Sequence, residues 1–158
     1  MKIVREHINE KFTKESDPLK DMGIGHEALI KKWFTSSFEV TIDELNEVMR
    51  INEDGEIDLL NSGIKLIAKA LVNGELPEYI QFNEIGGDFV ANHCGLKSLR
   101  GCPKYVKGSF DCSWNELTSL EHAPVYVRFT FDCRHNKEVF FEKDVRKKID
   151  IGGEVYDW

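Results

Sequence analysis

A period of 21 residues dominates the middle of this chain, where residues 87–137 contain nearly the same segment three times. Six columns of the alignment carry matching residues: Phe89, Phe110 and Phe131; Ala91, Cys112 and Cys133; Cys94, Asn115 and Asn136; Leu96 and Leu117; Leu99 and Leu120; Pro103 and Pro124. A repeat of this length cannot bury its apolar residues alone, so it has to stack on neighbouring copies. The period therefore predicts a solenoid, an architecture that usually presents a binding surface.

The residue pattern within one copy predicts a short strand followed by a turn. Phe110 and Cys112 alternate with polar residues, which places both side chains in the core. The intervening residues are expected to face outward: Ser109, Asp111 and Ser113. Asn115 follows where the chain must turn, and a buried amide at this position can bond the backbone of adjacent loops. The leucines then fold back over the core, and the prolines favour an extended return to the next strand.

An additional, degenerate copy is predicted upstream, with Ile57 in the column of Phe89. This alignment places 11 extra residues in the return segment LIAKALVNGELPEYIQFNEIG, in which LPEYI looks like a second version of CPKYV. At the other end, Glu138 stands where the repeat requires leucine. The chain is therefore divided into an N-terminal extended segment and helical cap at 1–52, a solenoid at 53–141, and a C-terminal cap at 142–158.

The caps are predicted from shorter patterns. Apolar residues at helical spacing between Met22 and Trp33 predict a helix over 24–35. Residues 41–50 have two interpretations: a helix with Thr41 as its N-cap, or a strand at 48–51 that forms a hairpin with 56–60 through the turn 53–55. The hairpin is favoured slightly. At the C-terminus, 143–149 is expected to be a short helix and 152–158 a final extended segment.

The repeat resembles the leucine-rich repeat, whose core reads LxLxxNxLxxL, with Phe110, Cys112 and Asn115 at the L, L and N positions. Phenylalanine replaces the first leucine throughout, and 21 residues is short for that family. The expected fold class is α+β: a short, leucine-rich-repeat-like β-solenoid of about four repeats with a helical N-terminal cap and a small C-terminal cap.

Together with EKFTKESDPLKDMGIG near the start, the repeats FDCSWNELTSLEHAP and GCPKYVKGSF resemble leucine-rich-repeat-like proteins of tailed bacteriophages and bacterial mobile elements. This resemblance implies expression inside a bacterium and engagement of host or phage machinery. It implies no catalytic residues.

Net charge limits the classes of partner. The formal charge of −7 argues against broad binding to nucleic acid or anionic membranes, because both require clustered Lys and Arg. A basic protein partner suits the charge better. The sequence contains no apolar run long enough to span a bilayer and no apolar stretch near its start, which predicts a cytoplasmic protein, in the bacterial host if the chain is phage-encoded.

The cysteines favour a structural role over a metal or redox role. Cys112 and Cys133 share a repeat column with Ala91, and the sequence contains no CxxC pair. The Gly-rich stretch at 22–26 lacks the phosphate-loop pattern, and no GxSxG-type nucleophile motif is present. We therefore expect no metal, no cofactor and no enzymatic activity.

The outward strand positions are the candidate binding residues. Stacking the four copies is expected to bring five carboxylates onto one face, next to polar residues: Glu56, Asp58, Asp88, Asp111 and Asp132, with Asn92, Ser113 and Arg134. Stacked like charges repel unless they are screened. The face is interpreted either as a docking surface for a Lys/Arg-rich partner, or as a solvated face that discourages aggregation. A weak cation site is a lesser alternative.

An aromatic column flanks this acidic face. Trp114 lies between His93 and His135 in the repeat. An exposed Trp here would anchor an interface, since Trp is enriched at interface centres. The competing interpretation packs Trp114 over the turn between repeats. The two histidines are expected to be two coils apart, too far to share a zinc ion.

Two functional hypotheses follow. The first is a non-enzymatic protein–protein interaction module that binds a basic partner, such as a nucleic-acid-handling host protein, and inhibits a bacterial defence system in an anti-CRISPR-like role. The second is a structural or virion-associated scaffold whose ends make the contacts. Neither hypothesis involves direct binding to nucleic acid or membrane.

Overall fold

The computed structural model describes residues 25–158, which form a β-solenoid with few helices. Within this described range, two helices precede the first strand: α1 (His26–Ser37) and α2 (Ile42–Val48). The first six strands are β1 (Met49–Ile51), β2 (Ile57–Leu59), β3 (Ile64–Lys65), β4 (Phe82–Ile85), β5 (Phe89–Val90) and β6 (Tyr105–Val106), with a 3-10 turn at Ala68–Ala70. The remaining elements are β7 (Phe110–Asp111), β8 (Tyr126–Val127), β9 (Phe131–Asp132), α3 (Glu142–Val145), β10 (Asp150–Ile151) and β11 (Val155–Tyr156).

Each coil contributes one strand to each of two sheets. Sheet A has the order β1-β2-β4-β6-β8-β10, and every pair in it is parallel except β1–β2. Sheet B has the order β11-β9-β7-β5-β3 and is entirely parallel. In the central copies the sequence predicted only the strand of sheet B, and β6 and β8 of sheet A lie where an extended return was expected. Strands β1 and β2 of sheet A were predicted as a hairpin. The α+β solenoid with its helical caps is confirmed.

The predicted register of the central coils is confirmed. Phe89 pairs with Phe110, and Phe110 with Phe131, at the predicted spacing of 21 residues. All three side chains are fully buried, and their rings stack with centroids 4.9 and 5.4 Å apart. An aromatic stack therefore runs through the core along the solenoid axis.

The predicted register of the upstream copy is wrong. Ile64, not Ile57, pairs with Phe89, whereas Ile57 pairs with Phe82 in sheet A. The segment FNEI of β4 takes the place of KYV, since Ile85 pairs with Val106. LPEYI lies before this strand. The register between β2 and β4 is irregular, so the first coil does not follow the spacing of the other copies and was aligned incorrectly. No long insertion interrupts the first coil.

Helix α1 covers the first coils. It begins and ends two residues later than predicted and buries Ile30, Trp33 and Phe34. The indole Nε1 of Trp33 donates to the carbonyl of Ala70 at 2.9 Å, which attaches the helix to the first coil. Met22 and the rest of the predicted extended segment lie outside the described residues.

The two interpretations of residues 41–50 are both correct, because they apply to consecutive segments. Thr41 and Glu44 form a capping box at the start of α2, which ends at Val48. Strand β1 begins at the next residue and pairs with β2 as an antiparallel hairpin. The hairpin covers the edge of sheet A.

The C-terminal cap adds one strand to each sheet. Helix α3 is shorter than the predicted helix, and β11 confirms the final extended segment. The guanidinium of Arg146 donates to the carbonyls of Ile151 at 3.1 Å and Gly153 at 2.8 Å. These bonds hold the last coil at its outer edge.

The buried amide predicted at the turn is confirmed. The Oδ1 atom of Asn115 accepts from the backbone N–H groups of Cys94 and Leu96, in the preceding coil. Its Nδ2 atom donates to the carbonyls of Ala91, Cys112 and Ser113. The side chain thus satisfies backbone groups of two successive coils.

Among residues 25–158, no helix has the length and apolar character needed to cross a bilayer.

Candidate interaction face

The five carboxylates do not converge on one face, contrary to the prediction. Glu56 precedes β2 and Asp58 lies within it, so both belong to sheet A. Asp88, Asp111 and Asp132 lie in or beside strands of sheet B. The separation follows from the corrected register of the first coil, because its sheet B strand is β3 and not β2.

Both carboxylates on sheet A are bonded to other coils. Glu56 forms an ion pair with Lys104 and also accepts from Asn52. Burial raises the pKa of Glu56, but these bonds and the charge of Lys104 outweigh burial and lower the pKa below its usual value. Asp58 accepts from the Asn83 amide at 2.9 Å and from the Glu84 N–H at 3.0 Å. Neither carboxylate contributes to an acidic docking surface.

The outer face of sheet B is the candidate interaction face. One row of paired residues crosses all five of its strands: Lys65, Val90, Asp111, Asp132 and Tyr156. Two further exposed carboxylates, Asp88 and Glu154, lie just before strands β5 and β11, two residues ahead of Val90 and Tyr156. Glu154 was missed because the extended C-terminal segment was not recognised as a further copy. The face therefore carries Asp88, Asp111, Asp132 and Glu154 against Lys65 and Arg134.

Asp111 and Asp132 adopt the same local structure. In each case, Oδ1 accepts from the N–H two residues later: Ser113 at 2.9 Å and Arg134 at 3.1 Å. Asp111 also accepts from the Ser113 hydroxyl at 2.6 Å and the Asn92 amide at 3.1 Å. Ser113 was expected to face outward, but it is buried. Its hydroxyl donates to Asp111, so Ser113 orients that carboxylate and does not itself reach a partner.

Asp88 is exposed, and its Oδ1 accepts from the Ser109 N–H at 2.7 Å. The hydrogen bonds to Asp88 and Asp111 thus come from neutral groups. Such bonds fix a carboxylate without cancelling its charge. Together with Glu154, which accepts from the Tyr156 hydroxyl, these side chains supply negative charge that their hydrogen-bond partners do not cancel.

Arg134 lies over the same face in the coil formed by β8 and β9, here called coil 4; the preceding coil, formed by β6 and β7, is coil 3. Its NH2 and Nε atoms contact the Asp132 carboxylate at 2.7 and 3.1 Å, and its Cζ lies 4.7 Å from the centre of the Tyr156 ring. The hydrogen bond to Asp132 is the main reason that the pKa of Arg134 is raised, and the charge of Asp111 acts in the same direction. Arg134 therefore neutralises part of the acidic surface.

The exposed aromatic ladder of His93, Trp114 and His135 borders this face. The ring centroids of His93 and Trp114 are 5.0 Å apart and those of Trp114 and His135 are 3.9 Å apart. Trp114 remains 52 % exposed. An imidazole covers each face of the indole, so the indole offers mainly its edge to a partner.

All three residues of this ladder have left-handed backbone conformations, with φ of 51°, 54° and 55°. A bulky residue in this region costs of order 1–3 kcal/mol, and glycine would avoid that cost. The chain therefore places large side chains at turn positions that favour glycine. The sequence indicated this ladder through the repeat column of His93, Trp114 and His135. The column does not specify the backbone φ angle of these residues.

The cysteines have the environment of core residues. All four are buried and free, and none is in a disulfide. Burial raises the pKa of each thiol, to about 12 for Cys133. Within residues 25–158, no group of three or more His, Cys, Asp or Glu side chains is placed to hold a metal ion.

Comparisons with protein-family models, with curated proteins and with solved structures found no match to this chain.

Proposed function

We propose that this protein is a non-enzymatic interaction module that binds a basic protein through the outer face of sheet B. The observation that carries the proposal is the exposed aromatic ladder, because three strained turn positions in successive coils hold bulky side chains in solvent. Strain of this kind is concentrated at functional sites. Exposed aromatic residues are also typical anchors of protein interfaces.

Charge defines the class of partner. Asp88 and Asp111 lie in neighbouring coils, and the groups recorded as bonding them are neutral. A Lys/Arg-bearing surface would relieve their mutual repulsion and would be attracted over several ångströms. The overall charge of −7 acts in the same direction.

We infer that the protein acts as an inhibitor through this face. A rigid acidic surface can occupy a channel that binds phosphates on a nucleic-acid-handling protein, and this is the basis of the anti-CRISPR-like hypothesis. The resemblance to phage-encoded repeat proteins supports the same hypothesis. Both the phage origin and the bacterial cytoplasmic location remain predictions.

A pair of aspartates on opposite sheets provides the test. Asp111→Asn removes one charge from the candidate interaction face, whereas Asp58→Asn removes one charge from sheet A. Both aspartates are half-buried, both lie within strands, and both accept a backbone N–H and an amide. Tagged wild type and each variant are used to capture proteins from phage-infected bacteria at low and high salt, and their melting temperatures are compared.

The proposal predicts a basic protein that is released as salt rises and is lost with Asp111→Asn or Trp114→Ala. Asp58→Asn should retain it. Equal loss with Asp111→Asn and Asp58→Asn, at unchanged melting temperatures, would contradict the proposed face. Recovery of the chain only in purified phage particles would instead support the structural, virion-associated hypothesis.

A further inference from the structure

Coil 4 contains a guanidinium that is bound to the candidate interaction face. Arg134 contacts both oxygens of Asp132, through Nε at 3.1 Å and NH2 at 2.7 Å. This paired geometry requires the planar fork of a guanidinium, since an ammonium group cannot reproduce it. The Asp132 side chain is only 13 % exposed, whereas that of Arg134 is 37 % exposed. The carboxylate is therefore held in place, and the guanidinium lies on its open side.

A ring completes the arrangement. The Arg134 guanidinium carbon lies 4.7 Å from the centre of the Tyr156 ring, within the range of a cation–π contact. The hydroxyl of Tyr156 donates to Glu154 at 2.7 Å, which fixes the position of the ring. A bidentate carboxylate next to an aromatic face is a combination that suits arginine better than lysine.

Coil 3 shows that the fold does not need this arginine. Asp111 is the counterpart of Asp132, and its carboxylate makes the same turn bond to the residue two positions later. That residue is Ser113 in coil 3 and Arg134 in coil 4. The arginine thus adds a cation to a turn that forms equally well with serine.

We propose that Asp132 and the Tyr156 ring form a guanidinium-binding subsite that the chain's own Arg134 occupies, and that an arginine-bearing segment of a basic partner displaces it. This inference rests on the proposed function and specifies the partner chemistry at one end of the face. Arg134 then acts as an internal competitor. Its removal should strengthen binding, although its position in the repeat predicted direct contact with the partner.

Arg134→Ser is the direct test, because it gives coil 4 the residue that coil 3 already has. Arg100→Ser is the matched control: it removes the same charge from an exposed arginine in the loop between β5 and β6, outside sheet B. The probes are fluorescein-labelled nona-arginine and nona-lysine peptides, and the readout is fluorescence anisotropy at 150 mM salt. Melting temperatures establish that each variant is folded.

Arg134→Ser should tighten nona-arginine binding about five-fold, the amount expected when one exposed ion pair no longer competes. The gain for nona-lysine should be smaller. Arg100→Ser should change either affinity by less than about two-fold. Arg134→Lys keeps the charge without the paired bonds, so it should give an intermediate gain. Adding Asp132→Asn to Arg134→Ser should abolish the gain.

Unchanged or weaker nona-arginine binding by folded Arg134→Ser would overturn the subsite, as would an equal gain with Arg100→Ser. Equal gains for the two peptides would overturn its preference for arginine. Failure of the proposed function has a different signature: neither wild type nor Arg134→Ser binds nona-arginine, or Asp111→Asn leaves its binding unchanged. The experiment therefore separates loss of the subsite from loss of the whole face.

Discussion

The outer faces of the two sheets use acidic residues in different ways. On sheet A, Glu56 and Glu84 are paired with lysines from other coils, Lys104 and Lys107, and Asp58 bonds to neutral groups of the next coil. On sheet B, Asp111 and Asp132 bond chiefly to the residue two positions later in their own coil. Pairs between coils tie the stack together. Bonds within a coil orient a carboxylate without committing it to a neighbour, which leaves sheet B better suited to bind a partner.

The largest predicted effect concerns the amides that support the two faces. Asn115→Ala should lower the free energy of unfolding by about 3 kcal/mol, because it leaves buried backbone groups of two coils unpaired. Asn83→Ala on sheet A removes a half-buried amide bonded to Asp58 and should cost about 1 kcal/mol. Urea denaturation measures both values. Equal losses would show that the two faces depend on their amides to the same extent.

A second prediction tests whether the left-handed backbone of the aromatic ladder lowers the free energy of unfolding. His93→Gly should raise the free energy of unfolding by up to about 1 kcal/mol, because glycine adopts φ of 51° without strain. His122→Gly is the control, since His122 is also exposed and left-handed, with φ of 63°, but lies outside the ladder. Thermal melts should show similar gains for both variants.

Partner capture should then distinguish these two variants. His93→Gly is expected to weaken capture of the basic partner, whereas His122→Gly should leave it unchanged. If neither variant gains stability, the left-handed residues are not strained, and the main support for the proposed face is lost.

Removing an ion pair of sheet A should have a smaller effect on the free energy of unfolding. Glu56→Gln should cost about 0.5 kcal/mol at pH 7, because Lys104 is half-exposed and solvent screens the pair. The pKa of Glu56 is lowered in the folded state, so its stabilisation is complete above the unfolded pKa and is lost as the pH falls through the folded value. The melting temperatures of variant and wild type should therefore converge below about pH 4. A difference that persisted at pH 2 would contradict the electrostatic explanation.

The smallest effect is expected for chemical modification of the cysteines in the core that both sheets share. Burial raises the pKa of the Cys112 and Cys133 thiols, so neither forms a reactive thiolate at neutral pH. Iodoacetamide at pH 8 should leave all four cysteines of the native protein unmodified and should modify all four in urea. Mass spectrometry measures the modification, and native labelling of Cys112 would show that the core opens.

Sequence reasoning succeeded where the repeat is strict. The phenylalanine column predicted the register of three strands, and Asn115 predicted the buried amide, because both depend on identical neighbours one period apart. The column predicted for Ile57 was wrong, because the first coil is irregular and LPEYI resembles CPKYV in sequence without occupying the same position in its coil. Strands β6 and β8 of sheet A were missed because they lie in the segments after Pro103 and Pro124, which the sequence indicated only as an extended return.

The candidate site was only partly predictable. The column of Asp111 and Asp132 was found from periodicity, and so was that of His93, Trp114 and His135. Left-handed φ angles and the pairing of Arg134 with Asp132 depend on local geometry that composition does not encode. Ser113 was predicted to be exposed by alternation, but its side chain is buried and its hydroxyl donates to Asp111.

Arg146 carries a consequence for the size of the molecule. In the inner coils, backbone N–H groups of the next coil donate to the carbonyls at this edge, as Gly152 does to Val127 and Gly153 does to Phe129. The two nitrogens of Arg146 donate to Ile151 and Gly153 in place of such a coil. One side chain thus satisfies two carbonyls that the backbone N–H groups of a further coil would otherwise bond. Whole coils inserted ahead of Arg146 would lengthen the solenoid in steps of about 4.8 Å and leave this edge unchanged.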